Sequence, residues 1–153
     1  MKIVIRQAEQ SDLPALIRTA ERFFDSDENE HRLVGTEDRM KELVRFLIWS
    51  SDGCLLVSER NGNVNGMIGL IVFEHPYATH KIATELFWLV DRQCRGTGIR
   101  LLKRAQQWAA EAGASFLQMT APNPKTGRVY ERLGYNRVVE ESYKLDLGRL
   151  KWA

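Results

Sequence analysis

The chain has 153 residues, of which 44% are hydrophobic and 27% charged, and its formal net charge is +2. That length suits a single domain over residues 1–153, with a core large enough to need no disulfide or metal. The small charge, without interleaved basic and aromatic residues, argues against a nucleic-acid partner, and no apolar run approaches the roughly 20 residues that span a bilayer. The two cysteines, Cys54 and Cys94, suit neither a metal cluster nor a disulfide framework, which fits a reducing compartment. Together with the short apolar runs, this leads us to expect a cytoplasmic protein with no membrane partner.

The first half of the chain predicts strands and helices with clear boundaries. A strand is expected at "KIVIRQA", a helix over "SDLPALIRTAERFF" and a second helix over "TEDRMKELVRFLIWS", with Thr36 as its N-cap. The strands "CLLVSER" and "VNGMIGLIVFEH" flank "NGN". This predicts a tight hairpin, because Asn and Gly tolerate the positive φ angles that such a turn requires.

The second half alternates strands and helices. We expect a strand at "ATELFWLVD", a helix that ends at Gly113, a strand at "SFLQMTA" and a short helix in "PKTGRVYERLG". The segment "YNRVVEESYKLDL" predicts one bent strand or two short ones. The resulting order, βααβββαβαβ or one strand longer, predicts an α+β fold, with antiparallel pairing around the hairpin and parallel pairing later.

A glycine-containing loop lies between the fourth strand and the third helix. The stretch "RQCRGTGIRLL" carries Arg92, Arg95 and Arg100 around its glycines. A strand that ends in such a loop and opens a helix suits phosphate, because backbone N–H groups and the helix dipole both favour an anion. A Walker loop requires Lys-Ser or Lys-Thr after its last glycine, and a dinucleotide fingerprint requires three glycines, so neither pattern fits.

The spacing Gln93-x-x-Gly96-x-Gly98 resembles the pyrophosphate loop of the GCN5-related N-acetyltransferases, the GNAT family. The later "RVYERLGY" resembles that family's "lYeklGF" signature, and the element order agrees from "IRQAEQSDLPAL" to "SYKLDL". An alternative register reads residues 95–100 as the common "RGxGIG", with Arg100 where a glycine is usual. We adopt the Gln93 register because it fills every motif position. The short loop also looks like those of phage and prophage members.

The resemblance implies a fold and a reaction. The fold would be a three-layer α/β arrangement, with a mixed, mostly antiparallel central sheet, a splayed parallel strand pair and helices on both faces. The reaction would transfer an acetyl group from acetyl-CoA, as co-substrate, to a primary amine by direct attack in a ternary complex, without a metal. A catalytically silent acyl-CoA-binding module is the alternative.

The resemblance also implies an acceptor and an assembly. We expect a small-molecule or peptide amine as acceptor, and we leave a homodimer open as the assembly. The segment that joins the first two helices carries an acidic cluster, which favours a cationic acceptor unless it is merely a solvated loop. The members of this cluster are Asp25, Asp27, Glu28, Glu30, Glu37 and Asp38.

Two side chains are expected to move protons. Tyr130, in the "RVYERLG" motif, would protonate the leaving thiolate; alternatively, it is a core residue of a short helix. Glu85 would accept the amine proton, directly or through a water, because an apolar strand raises the pKa of a carboxylate; alternatively, it is exposed and paired with a cation. His75 and His80 are rival bases.

The cofactor prediction rests on the resemblance. Backbone N–H groups of Leu89 and Val90 would hold the pantetheine arm and the thioester carbonyl. Asn123 would contact the coenzyme, cap a helix, or do both. The expected cofactor-binding residues are Leu89, Val90, Gln93, Cys94, Arg95, Gly96, Thr97, Gly98, Ile99, Arg100, Asn123 and Tyr130.

Overall fold

A computed structural model describes residues 2–26, 35–94 and 96–150 of the chain. The chain divides into two compact units, Met1–Thr120 and Ala121–Ala153. Within the described ranges, no helix is long and apolar enough to cross a membrane.

The first unit contains one five-stranded sheet in the order β1-β2-β3-β4-β5. The pairs β1–β2, β2–β3 and β3–β4 are antiparallel, whereas β4–β5 is parallel. This confirms the predicted mixed, mostly antiparallel sheet. The elements of this unit are β1 Ile3–Gln7, α1 Leu13–Phe24, α2 Glu37–Trp49, β2 Gly53–Arg60, β3 Asn63–Glu74, β4 Lys81–Val90, α3 Thr97–Glu111 and β5 Ala114–Gln118.

Local signals in the sequence set the boundaries of several elements. The side chain of Thr36 accepts a hydrogen bond from the N–H of Arg39 at 3.4 Å and so caps α2, as predicted. Asn61 and Gly62 adopt φ angles of 53° and 77° in the turn between β2 and β3. Positive φ at both central residues is the geometry that joins twisted antiparallel strands, which confirms the predicted hairpin.

The sheet is covered on both faces. On one face, α1 and α2 contribute Leu16 and Leu47 to a buried cluster with Val57 and Met67 of the sheet. On the other face, α3 contributes Ala109 to a separate cluster with strands β3 and β4. Each fully buried aliphatic side chain stabilises the fold by about 1.5–3 kcal/mol. The first unit therefore has the three layers that the family resemblance implied.

The parallel pair separates along its length. Pairing between β4 and β5 extends from Lys81 opposite Ala114 to Thr84 opposite Gln118, and β4 then continues to Val90. Among the described strands of the first unit, none pairs with β4 on this side beyond Thr84. The predicted splay is therefore present, and it leaves one edge of β4 open.

The second unit contains α4, Pro124–Arg132, and a short 3-10 turn at Leu147–Arg149. The prediction of one or two strands over residues 135–147 was wrong, because this described segment contains no strand and pairs with no described strand. Val138 and Val139 are 70% and 87% exposed. An apolar pattern fits a strand only when a neighbouring edge supplies hydrogen bonds and buries one face, and this segment has neither.

Part of the sequence prediction falls outside the described residues. This applies to Asp27, Glu28 and Glu30 of the acidic cluster and to Arg95 of the glycine loop. Asp25 follows the last residue of α1, and Glu37 in the first turn of α2 forms an ion pair with Lys41 at 2.6 Å.

Candidate active site

The open edge of β4 exposes main-chain groups of alternate residues. The N–H of Asp91 donates to the carbonyl oxygen of Asn65 at 2.9 Å, so these opposed residues form a hydrogen-bonded pair of the β3–β4 ladder. Because such pairs alternate along antiparallel strands, the main-chain groups of Leu89 face β3 and those of Trp88 and Val90 face away from it. Of the two N–H groups singled out from the sequence, that of Val90 therefore lies on the open edge.

A β-bulge interrupts β4 beside this edge. Phe87 pairs with Gly69, whereas Glu85 pairs with Leu70, so Leu86 is an extra residue without a partner on β3. A bulge bends the strand and changes the direction of the neighbouring side chains, and bulges are frequent next to active sites. Nothing in "ELFWLV" marks this position, because a bulge is defined by pairing with another strand.

Glu85 lies where β4 and β5 begin to separate. Its carboxylate accepts a hydrogen bond from the main-chain N–H of Thr120 at 2.9 Å, just beyond the end of β5. Burial raises the pKa of Glu85 above the usual range of a glutamate, and the hydrogen bond from Thr120 opposes this effect only in part. The structure thus places a carboxylate with an increased proton affinity at the start of the open edge, as the sequence led us to expect.

The two histidines considered as rival bases lie at the other end of the strand. They belong to the turn between β3 and β4, where the N–H of His75 donates to the carbonyl oxygen of His80 at 2.8 Å. At about 3.3 Å per residue, the strand from Lys81 to Val90 places this turn roughly 30 Å from the end of the open edge. Glu85 is much closer to that edge than either histidine.

The loop after β4 leads directly into α3. The carbonyl oxygen of Asp91 accepts from the N–H of Cys94 at 2.9 Å, and that of Cys94 accepts from the N–H of Thr97 at 3.4 Å. Gly96 precedes the helix with a φ of 82° and, having no side chain, provides no cap. By contrast, Thr36 caps α2 and Asn123 caps α4. With no cap from Gly96, the start of α3 presents the positive end of its dipole to a ligand, while the N–H of Thr97 is already bonded to Cys94.

The two glycines of the loop have different surroundings. A Cβ added to Gly96 would meet nothing within 4 Å, so the space beside its backbone is open. A Cβ added to Gly98 would lie 3.1 Å from Cζ2 of Trp88 and 3.5 Å from Cγ2 of Val90. Gly98 therefore permits close packing of α3 on β4, a function that the motif alone did not reveal. Of the other described residues predicted in this loop, Gln93, Ile99 and Arg100 are exposed, Cys94 is half-buried and Thr97 is fully buried.

The second unit holds the remaining predicted residues. Tyr130 is 6% exposed, and its ring lies 5.3 Å from that of Tyr135. The side chain of Asn123 accepts from the N–H of Thr126 at 3.0 Å, so the helix-cap interpretation of Asn123 is correct. The coenzyme contacts of Asn123 and Tyr130 stay predictions.

Residues 13–135 match the sequence model of the acetyltransferase (GNAT) family. The chain belongs to this family. The chain is also similar to an uncharacterized N-acetyltransferase, YhfO of Bacillus subtilis (strain 168), with 27% identity over 135 residues, covering 86% of this chain and 88% of YhfO. The GNAT chain is therefore an acyl-CoA-dependent N-acyltransferase.

Solved structures share the fold of this GNAT chain. A predicted acetyltransferase from Clostridium acetobutylicum, crystallised with acetyl-CoA, has a TM-score of 0.79 at 17% identity, covering 97% of this chain and 99% of that one. A transcriptional regulator from Bacillus halodurans C-125 has a TM-score of 0.77 at 21% identity, covering 95% of this chain and all of that one. At these identities the likeness establishes the GNAT fold.

The described residues fit acetyl-CoA as the co-substrate of this GNAT chain. The open edge of β4 provides main-chain partners for the amide groups of a pantetheine arm, and the open space at Gly96 lies beside the uncapped start of α3. Within the described ranges, no group of three His, Cys, Asp or Glu side chains is arranged to hold a metal ion.

Proposed function

We propose that the protein transfers the acetyl group of acetyl-CoA to a primary amine, by direct attack within a ternary complex. The observation that supports this best is the open edge of β4, which is followed along the chain by the loop of residues 91–96 and then by the start of α3, where Gly96 provides no cap. A strand edge that no neighbouring strand occupies suits an extended chain of amides, and a helix N-terminus suits a pyrophosphate. Few ligands besides an acyl-coenzyme A contain both groups in series.

In this proposal, main-chain groups bind most of the coenzyme. The N–H of Val90, on the open edge, serves the pantetheine arm and the thioester carbonyl, and residues 93–100 surround the pyrophosphate. The N–H of Leu89 faces β3 and is given no contact with the coenzyme. Arg95 and Arg100 add positive charge there, and Asn123 adds a contact to the coenzyme. Donors fixed in a strand and a helix need little reorganisation as negative charge develops on the carbonyl oxygen.

Glu85 is proposed as the general base. An amine attacks only in its neutral form, so its proton must be removed before or during the formation of the new C–N bond. A carboxylate whose pKa is raised by burial is a stronger base than an exposed one. The N–H of Thr120 fixes one carboxylate oxygen and leaves the other to accept the proton, directly or through a water.

Tyr130 is proposed as the general acid. When the carbonyl re-forms and the C–S bond breaks, the departing thiolate takes the phenolic proton of Tyr130, and the amide product carries the acetyl group. We propose that residues 1–153 work as a single catalytic domain. The acceptor would be a small-molecule or peptide amine. A cationic acceptor, a homodimer, a cytoplasmic location and a prophage origin stay predictions.

Two measurements test this function. Acetyl-CoA at about 100 times its dissociation constant should stabilise the fold by about 2.7 kcal/mol, which raises Tm by roughly 5–10 °C for a domain of this size. A panel of amines should then accelerate the release of the coenzyme thiol, followed with a thiol reagent. No change in Tm at millimolar acetyl-CoA would refute the proposal. Stabilisation without amine-dependent thiol release would favour the silent binding module.

A further inference from the structure

A second β-bulge lies in β3, next to the residue that pairs with the end of β4, where the glycine loop begins. Ser58 pairs with Gly66, whereas Glu59 pairs with Val64, so Asn65 is an extra residue on β3. Its side chain is nevertheless buried, with 7% of the residue exposed, and its Oδ1 accepts a hydrogen bond of 2.6 Å from the fully buried hydroxyl of Ser58. This bond ties the bulged residue to the neighbouring strand and so fixes the shape of the bulge.

The main chain of Asn65 is bonded to the residue that begins the glycine loop. Its carbonyl oxygen accepts the N–H of Asp91 at 2.9 Å, and the carbonyl oxygen of Asp91 accepts the N–H of Cys94 at 2.9 Å. Cys94 in turn accepts from the N–H of Thr97, the first residue of α3. A continuous series of hydrogen bonds therefore runs from Ser58 through Asn65 to the first turn of the helix.

The surrounding packing leaves this series little freedom. A Cβ added to Gly66 would lie 2.7 Å from Oγ of Ser58, 3.2 Å from Cδ1 of Leu101 and 3.3 Å from the carbonyl oxygen of Leu89. Only glycine leaves room at this position for the serine hydroxyl and for the close approach of α3. The carboxylate of Asp91 is also held, by an ion pair of 3.2 Å with Arg22 at the end of α1.

We propose that Asn65 is a positioning residue for the coenzyme loop: its carbonyl oxygen fixes Asp91 and thereby the uncapped first turn of α3. The inference rests on the proposed function, because the loop must bind a coenzyme for its position to affect binding. Asn65 would act only through Asp91, without contacting the coenzyme. Loss of its side chain frees the bulge, and the loop then samples conformations that bind the pyrophosphate poorly.

The test compares Asn65→Ala with the wild type. We expect the dissociation constant of CoA, measured by calorimetry, to rise at least tenfold, while kcat at saturating acetyl-CoA changes less than threefold. Hydrogen exchange of the Asp91 and Cys94 amides should accelerate at least tenfold in the free protein. Ser58→Ala, which removes the hydroxyl that donates to Asn65, should change all three quantities in the same direction and serves as the test variant if Asn65→Ala does not fold.

Val44→Ala is the matched control, because it truncates a buried residue of α2 in the core cluster on the opposite face of the sheet from α3. It should lower Tm without weakening CoA binding more than twofold. Unchanged CoA binding in the Asn65 and Ser58 variants would overturn the inference. It would also be overturned if Val44→Ala weakened CoA binding in proportion to its lower Tm, because the effect would then come from stability alone. If the wild type does not bind CoA, the proposed function is refuted. The exchange rates of the Asp91 and Cys94 amides would then still test whether Asn65 positions the loop.

Discussion

Replacing Glu85 with glutamine separates the chemistry of this residue from its structural contribution. The amide oxygen of the introduced glutamine would accept the N–H of Thr120 in place of the carboxylate oxygen that now lies 2.9 Å away. A hydrogen bond to a charged acceptor contributes about 1.5–3 kcal/mol and one to a neutral acceptor about 0.5–1.5 kcal/mol, so weakening this bond costs about 1 kcal/mol. Removal of a partly buried charge offsets that loss. The free energy of unfolding should therefore change by no more than about 1 kcal/mol.

The effect on turnover should be much larger. A positioned general base accelerates a reaction about 10²- to 10⁴-fold, which corresponds to about 3–5 kcal/mol at the barrier. We expect kcat of Glu85→Gln to fall by such a factor while acetyl-CoA binding, measured by calorimetry, stays within about twofold. A fold with several kcal/mol of stability stays almost fully populated after a loss of about 1 kcal/mol, so unfolding does not produce this fall.

The pH dependence provides an independent check on Glu85. In the wild type, kcat/KM should rise with pH through the raised pKa of this carboxylate, and the variant should lose that rise. Stability should show the opposite trend. Because the folded-state pKa lies above the unfolded-state value, the stabilisation from protonated Glu85 is complete below the unfolded-state pKa and is lost as pH rises through the folded-state pKa. A variant with undiminished kcat, or with the wild-type pH profile, would refute the assignment.

Three further changes test other parts of the site. Tyr130→Phe should lower turnover about 10- to 1,000-fold without weakening acetyl-CoA binding in calorimetry; full turnover would mean that another group protonates the thiolate. Gly98→Ala should cost about 1–3 kcal/mol of stability in denaturant unfolding, because the added Cβ would lie 3.1 Å from its nearest neighbour. Gly96→Ala should cost about 1–2 kcal/mol, because its φ is positive. Wild-type stability in both variants would contradict this description of the loop. Burial raises the pKa of the Cys54 thiol to about 12. A thiol reagent at neutral pH should therefore modify only Cys94 of the folded protein, as measured by mass spectrometry. Equal labelling of both cysteines would contradict this burial.

Short-range signals made much of the fold predictable from sequence. Thr36 and the pair Asn61–Gly62 act within a few residues of themselves, so their cap and turn follow from residue type and were confirmed. The position of Glu85 in an apolar strand also sufficed to predict a raised pKa, since burial is the main cause. The splayed strand pair, in contrast, came from the family resemblance, because no local pattern specifies where two parallel strands part.

Long-range features were missed for a common physical reason. The bulges at Leu86 and Asn65 exist only relative to a partner strand, and the N–H of Thr120 reaches Glu85 across 35 positions of the chain. The expected strand over residues 135–147 was wrong because an apolar pattern does not specify a partner strand, and no described strand pairs with this segment. Pairing partners are the information that a single sequence conveys least well.

The sequential order of the strands has a consequence for how the first unit folds. Strands β2, β3 and β4 are joined by short turns, whereas β1 pairs with β2 only after closure of the roughly 45 residues from Ala8 to Asp52, which costs about 3 kcal/mol more in chain entropy than a tight turn. The three-stranded meander should therefore form first. Since it contains Asn65, Glu85 and Val90, pulse-labelled hydrogen exchange during refolding should detect protection in the scaffold of the site before β1 is protected.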